Sequence, residues 1–166
     1  DIVINSSLSF LASSSNDNLW MKKAIKLAEK AFQNNEIPVG AIVVFENRII
    51  GKGYNQKEKF NDPTAHAEMI AISAASSTVK NWRLIKSTIY VTKEPCAMCA
   101  GAIVNARISR VVFGAYDEKK GCSGSLYQIC NDKRLGSKAI IKGGVLNQEC
   151  RSILQAFFKT KRETPN

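Results

Sequence analysis

The chain holds a single histidine, His66, in the run Thr64-Ala65-His66-Ala67-Glu68. Further on, Pro95-Cys96-Ala97-Met98-Cys99 places two thiols three residues apart. One imidazole and two thiolates are three donors suited to zinc, and they leave the fourth tetrahedral position for water. A carboxylate beside that water, Glu68, is a natural carrier of protons. The chemistry to expect is hydrolysis at a metal, with His66, Cys96 and Cys99 as ligands and Glu68 as the acid–base group. A purely structural zinc would be closed by a fourth protein ligand. Cys122, Cys130 and Cys150 are available for that, and no spacing rule excludes them. They lack a paired arrangement, however, and a structural site gives Glu68 no task.

The spacing constrains how these groups can meet. Residues two apart in a helix point about 200° away from each other, so His66 and Glu68 cannot flank one point beside the axis. They can converge just beyond a helix N-terminus. Cys96 and Cys99 share a helix face and can also reach past their own N-terminus. A metal between two helix N-termini would place its anionic ligands where the helix dipoles favour them. Two strand–helix units side by side in one sheet would bring those ends together.

The surrounding pattern supplies such units. Residues 1–17 are rich in Ser and Asn and read as a disordered or loosely ordered extension; the domain proper is expected over 18–163. From Asn18, Trp20, Ala24, Leu27, Ala28, Ala31 and Phe32 recur at helical spacing, and the helix should stop by Asn34–Asn35 before Pro38. Val39 to Phe45 and Ile49 to Tyr54 read as strands joined by a tight turn at Glu46-Asn47-Arg48. Asp62-Pro63-Thr64 carries helix-start chemistry for a helix running through Ala75. Thr88 to Thr92 is a third strand, Pro95 opens a helix reaching about Ala106, and Arg110 to Gly114 is a fourth strand. Residues 116–138 are loop-like. A short strand at Ala139–Ile141 precedes a last helix with an apolar stripe of Cys150, Ile153, Leu154, Phe157 and Phe158. Alternating strands and helices imply an α/β fold, a mixed sheet covered by helices on both faces.

Composition bounds the function classes. The 166 residues suffice for one domain with a core, and no apolar run approaches the ~20 residues that span a bilayer. Five cysteines, an odd number without a clear secretory signal, suit reduced thiols and a metal better than disulfides. The expected compartment is the cytoplasm, or an organelle interior if residues 1–17 are the remnant of a processed targeting region. With 24 Lys+Arg against 14 Asp+Glu the net charge is +10, which favours a polyanionic partner, although lysine enrichment also serves solubility alone.

H-x-E followed by P-C-x-x-C is the signature of the cytidine/deoxycytidylate deaminase superfamily. The blocks Ile37-Pro38-Val39-Gly40-Ala41, Asp62 to Met69, Glu94 to Ala102, Arg110-Val111-Val112-Phe113-Gly114 and Gly124-Ser125-Leu126 resemble, in order, the bacterial-type tRNA adenosine deaminases. The resemblance covers roughly residues 18–163. It implies a three-layer α/β/α cytidine-deaminase-like fold with a five-stranded mixed sheet, and hydrolytic conversion of a wobble adenosine to inosine. It implies one zinc per chain, a tRNA anticodon stem-loop as partner, and a homodimer whose chains both touch the RNA. Asn55 matches a base-contacting asparagine, and Val39 and Ala67 match positions around the flipped base. Lys159, Lys161 and Arg162 are candidates for the RNA backbone, as are Lys119 and Lys120; each is equally placed as an ordinary solvated cation. Two features depart from the family pattern: Tyr116 stands where bacterial members commonly carry Arg, and residues 1–17 have no counterpart.

Two rival readings remain on the sequence alone. A deaminase of a free base or nucleoside, of guanine or cytosine type, uses the same zinc chemistry, but a neutral small substrate needs no basic surface. A non-catalytic, zinc-bearing RNA-binding partner needs ligands only, and would not need Glu68.

Overall fold

The computed structural model describes residues 2–164, with side chains over 16–164. Alternation within the strands decides the layers. In β1 (Gly40–Phe45) Ala41 and Val43 face one side of the sheet and Ile42 and Val44 the other. β3 (Thr88–Lys93) divides Ile89 and Val91 from Tyr90, and β4 (Arg110–Ala115) divides Val111 and Phe113 from Val112 in the same way. With both faces apolar, the sheet needs helices on both. α3 (Ala67–Val79) and α4 (Ala97–Asn105) cover one face through Ala67, Ala71, Ala75, Ala100 and Ile103. α1 (Ile2–Gln33) and α5 (Asn147–Glu163) cover the other through Met21, Ala24, Cys150 and Leu154.

The sheet has five strands in the order β2-β1-β3-β4-β5, with β2 at Arg48–Tyr54 and β5 at Ile140–Lys142. β1 is antiparallel to both β2 and β3, while β3, β4 and β5 run parallel. This is the mixed five-stranded sheet expected. The β1–β2 turn is tighter than the three residues expected. Glu46 and Asn47 both have positive φ, the conformation of a two-residue hairpin turn that matches strand twist, and Arg48 already pairs with Phe45.

Two element boundaries differ from the sequence pattern, and one short helix is added to it. α3 starts at Ala67, not near Pro63. The Asp62 side chain accepts from the Thr64 amide (2.8 Å) and hydroxyl (2.7 Å), closing a turn that competes with a helix start. The loop before it contains one more short helix, α2 (Lys57–Phe60), whose single turn is too brief to leave a periodic signal. At the chain's start, α1 runs back past Asn18. The side chains over 1–15 lie outside the described residues, and so does the expectation of a loose extension there. Asp17, assigned to that extension, is buried among Tyr90, Arg110 and Lys142 and belongs to the folded domain.

Two glycines in β2 set the height of α3 above the sheet. A Cβ at Gly51 would collide with the Ala71 carbonyl, and one at Gly53 with the carbonyl of Ala67. With hydrogens instead, the α3 backbone lies directly on β2, and its N-terminus is fixed at the end of the sheet where β2 and β3 finish.

Candidate active site

α3 and α4 both begin at that end of the sheet, and both begin on residues singled out in the sequence. His66 is the N-cap of α3 and Cys96 the N-cap of α4. Each has an extended backbone (ψ 153° and 176°) and a side chain that makes no capping bond to its own helix. The side chains turn toward each other instead. His66 Nδ1 lies 3.6 Å from Cys96 Sγ and 3.5 Å from Cys99 Sγ. The three donor atoms lie within 4.8 Å of one another and could hold a metal. Among the described residues no further His, Cys, Asp or Glu joins the group, so Cys122, Cys130 and Cys150, all buried free thiols, do not close it.

The distances test the fit of zinc. Zn–N and Zn–S bonds of ~2.0 and ~2.3 Å at a tetrahedral angle place nitrogen and sulfur about 3.5 Å apart. The observed 3.5 and 3.6 Å match that spacing. The hydrogen bond from Cys99, aided by His66, pulls the Cys96 thiol down to about 3 against the burial that opposes it. The same bond and burial push the Cys99 thiol up. The contact with Cys96 raises His66 above its ordinary range.

Glu68, the second residue of α3, is buried beside this group, and burial pushes its carboxyl up. It lines the same cavity as His66 and Cys96. Val39, Asn55 and Ala67 form part of the cavity wall. Asn55 is held by its backbone N–H to the Val39 carbonyl (3.0 Å) and by Nδ2 to the Ile37 carbonyl (3.4 Å). Its Oδ1 is buried and has no partner. A buried acceptor without a donor costs free energy unless a ligand satisfies it.

The cation candidates separate. Lys120 lines the cavity. Lys119 is exposed and does not, and Lys159, Lys161 and Arg162 project from the exposed part of α5, also outside the lining. Tyr116 is 55% exposed, its ring edge-on to Phe113 and packed over Gly143 and Gly144.

Several residues that build the site carried no recognisable signal. Glu94, next to the Pro-Cys motif, accepts from the amides of Asp117 (3.2 Å), Ser123 (3.1 Å) and Ser125 (3.0 Å), fixing the loop after β4. Glu36, 2% exposed, accepts from the amides of Lys59 (2.8 Å) and Glu58 (3.3 Å), fixing α2. Lys93 and Asp117, paired at 2.9 Å, and Lys57 complete the charged part of the cavity wall. Glu94 lies within the segment Glu94 to Ala102 that carries the family resemblance, whereas Glu36 pairs across the fold and leaves no local trace.

An α/β/α domain that converges His, Cys and Cys from two helix N-termini, with a buried Glu in the first turn of one of them, defines a class: the cytidine-deaminase-like proteins, here with a group that could hold a metal. A family model described as MafB19-like deaminase matches residues 15–162. The tRNA-specific adenosine deaminase of Bacillus subtilis (strain 168) is 46% identical over 147 residues, 89% of this chain and 91% of the relative. That of Haemophilus influenzae is 47% identical over 148 residues, 89% of this chain and 86% of the relative. A solved structure from a study of tRNA:A34 deaminases superposes with a TM-score of 0.77 at 35% identity, over 81% of this chain and 97% of that one. A guanine deaminase from Nitrosomonas europaea shares the fold at a TM-score of 0.73 and 19% identity, over 84% of this chain and 83% of that one. By this likeness the chain belongs to the family of tRNA-specific adenosine deaminases.

Proposed function

We propose that the protein hydrolyses the wobble adenosine of a tRNA anticodon to inosine, releasing ammonia, with one zinc held by His66, Cys96 and Cys99. The observation that carries this reading is one cavity lined by His66, Cys96, the buried Glu68 and Asn55 with its unpartnered Oδ1, with the Cys99 thiol behind it within 4.8 Å of the other two metal donors. When bound there, zinc supplies Lewis acidity that brings the ionisation of a water toward neutral pH.

This chain's residues do the rest. Glu68 takes a proton from the attacking water and delivers it to the purine ring nitrogen beside C6. It then carries the proton of the new C6 hydroxyl to the departing amine, so that adenosine and water become inosine and ammonia. Burial keeps that proton from bulk solvent. Asn55 Oδ1 accepts a hydrogen bond from the extruded nucleoside, and Val39 and Ala67 wall the base. The amides at the start of α4 face the same point and favour developing negative charge.

The base reaches the cavity only after leaving its stack, at a cost of a few kcal/mol. Contacts to the rest of the anticodon stem-loop supply that energy, which is the use of the +10 charge. The working form we propose is a cytoplasmic homodimer. Exposed Leu126 and Tyr127, at 51% and 68%, offer apolar surface beside the loop that Glu94 fixes. No helix among the described residues is long and apolar enough to cross a membrane. The test is to incubate the purified protein with mixed tRNA, and with free adenosine, cytidine and guanine, and to assay inosine and ammonia. Inosine appearing only in tRNA supports the reading. Turnover of a free base instead would make the protein a small-molecule deaminase, and RNA binding without turnover would make it a scaffold.

A further inference from the structure

Three lysines, Lys57, Lys93 and Lys120, line the cavity beside the carboxylates of Glu68, Glu94 and Asp117, and only Lys93 is paired with one of them. Lys93 is paired with Asp117 at 2.9 Å. Glu94 spends its oxygens on loop amides and on Ser125. Lys57 and Lys120 also line the cavity, and neither has a carboxylate within ion-pair distance among the described residues. Two such cations at the mouth of one cavity repel each other unless an anion enters.

They stand on opposite sides of it. Lys57 follows β2 by three residues, and Lys120 lies in the loop after β4. In the order β2-β1-β3-β4 three inter-strand spacings separate the two strands, about 14 Å at ~4.8 Å each. The metal donors and Glu68 lie at the same end of the sheet, on α3 and α4. A strand whose base entered the cavity would have Lys57 on one side of it and Lys120 on the other.

Both lysines stand on backbone pinned from below. Glu36 holds the amides of α2, and Glu94 holds the amides of the loop after β4. Both carboxylates are almost fully buried, at 2% and 3% exposure. Each side chain remains free to move while its anchor is fixed. A lysine that only solubilises the surface needs no such foundation.

We propose that Lys57 and Lys120 form a two-sided phosphate clamp, each binding one of the two phosphodiesters that flank the extruded adenosine. The enzyme then reads its target as an internal nucleotide of a strand, and a nucleoside or terminal nucleotide lacks one or both anchors. This rests on the reading of the cavity as an RNA adenosine deaminase site. Glu36 and Glu94 are positioning residues for the clamp.

The test uses the zinc-loaded protein and a fluorescent anticodon stem-loop carrying inosine, the product, which cannot turn over during the measurement. Affinity is followed by anisotropy between roughly 50 and 200 mM salt. Each phosphate contact in a single strand contributes about 0.7 to the slope of log affinity against log salt. Lys57→Gln and Lys120→Gln should each flatten the slope by about 0.7, and the double variant by about 1.4. Lys57→Arg and Lys120→Arg should keep it, which separates loss of charge from misfolding. Replacing one flanking linkage by a neutral methylphosphonate should reproduce the loss and make the facing Lys→Gln silent. Slopes equal to wild type in both Gln variants, or linkage and lysine effects that simply add, overturn the clamp. Failure of wild type to form inosine in the adenosine stem-loop would instead overturn the reading of the cavity, and the binding slopes would still decide the clamp.

Discussion

Asp17→Asn should cost the fold far more than its place beside a Ser- and Asn-rich stretch suggests. The Asp17 carboxylate, 1% exposed, receives two bonds from Arg110 at 2.6 and 2.7 Å, one from the Tyr90 hydroxyl at 2.9 Å and one from Lys142 at 3.1 Å. An asparagine keeps one acceptor oxygen and turns an NH2 toward cationic donors. The Arg110 side chain, only 12% exposed, is then left without its counter-charge. Removing one partner of a buried pair costs about 3–5 kcal/mol, which in a domain of this size lowers Tm by roughly 10 °C. The pH dependence has a definite sign. Burial would raise the Asp17 carboxyl, but hydrogen bonds from Arg110, Tyr90 and Lys142 outweigh it and hold the group below its usual value. A depressed carboxyl contributes fully above its unfolded pKa of ~3.9 and loses that contribution as pH falls through the folded value. Thermal or urea unfolding of both proteins at pH 7, and again at acid pH, measures this. Wild type should exceed Asp17→Asn by the full amount at pH 7, with the gap closing below about pH 4. A gap under about 1 kcal/mol at pH 7, or one that widens as pH falls, would refute the reasoning.

Elemental analysis should find one zinc per chain in wild type. Cys96→Ala and Cys99→Ala should each lose most of it, because two remaining ligands of three cannot hold the ion tightly; metal content unchanged in either variant would remove those thiols from the site. Light scattering at micromolar concentration should give twice the 18.3 kDa chain mass, whereas a monomer would end the idea of an RNA site shared between chains.

The layers of the fold were legible because β1, β3 and β4 are short continuous apolar runs alternating with helical segments, as strands buried on both faces of a sheet require. Helix geometry allows His66, Glu68, Cys96 and Cys99 to converge past two helix ends, and the donor atoms of His66, Cys96 and Cys99 lie within 4.8 Å of one another. What the sequence hid depends on long-range pairing. Asp17 meets Arg110 and Lys142 across the whole chain, so nothing local marks it as part of the core. Glu36 and Glu94 look like surface acids until the amides they bind are seen. The start of α3 was misplaced because Asp62-Pro63-Thr64 carries the residue types of a helix cap. Those types serve an Asp-centred turn equally well, and only the position of the strand end chooses between them. Lys119 and Lys120 are indistinguishable in composition, and loop geometry alone puts Lys120 in the cavity wall.

The central claim is that this cavity deaminates a wobble adenosine and that Glu68 moves the protons. The most direct measurement is single-turnover inosine formation in an anticodon stem-loop, comparing wild type with Glu68→Gln at equal zinc content. Glutamine preserves the shape and leaves His66, Cys96 and Cys99 intact, so the variant should fold, bind zinc and bind the stem-loop. Its rate should fall by at least the ~10²–10⁴-fold typical of lost general acid–base catalysis. A zinc-loaded Glu68→Gln protein that forms inosine at a near wild-type rate would contradict the account, as would a wild-type protein that leaves the stem-loop adenosine untouched.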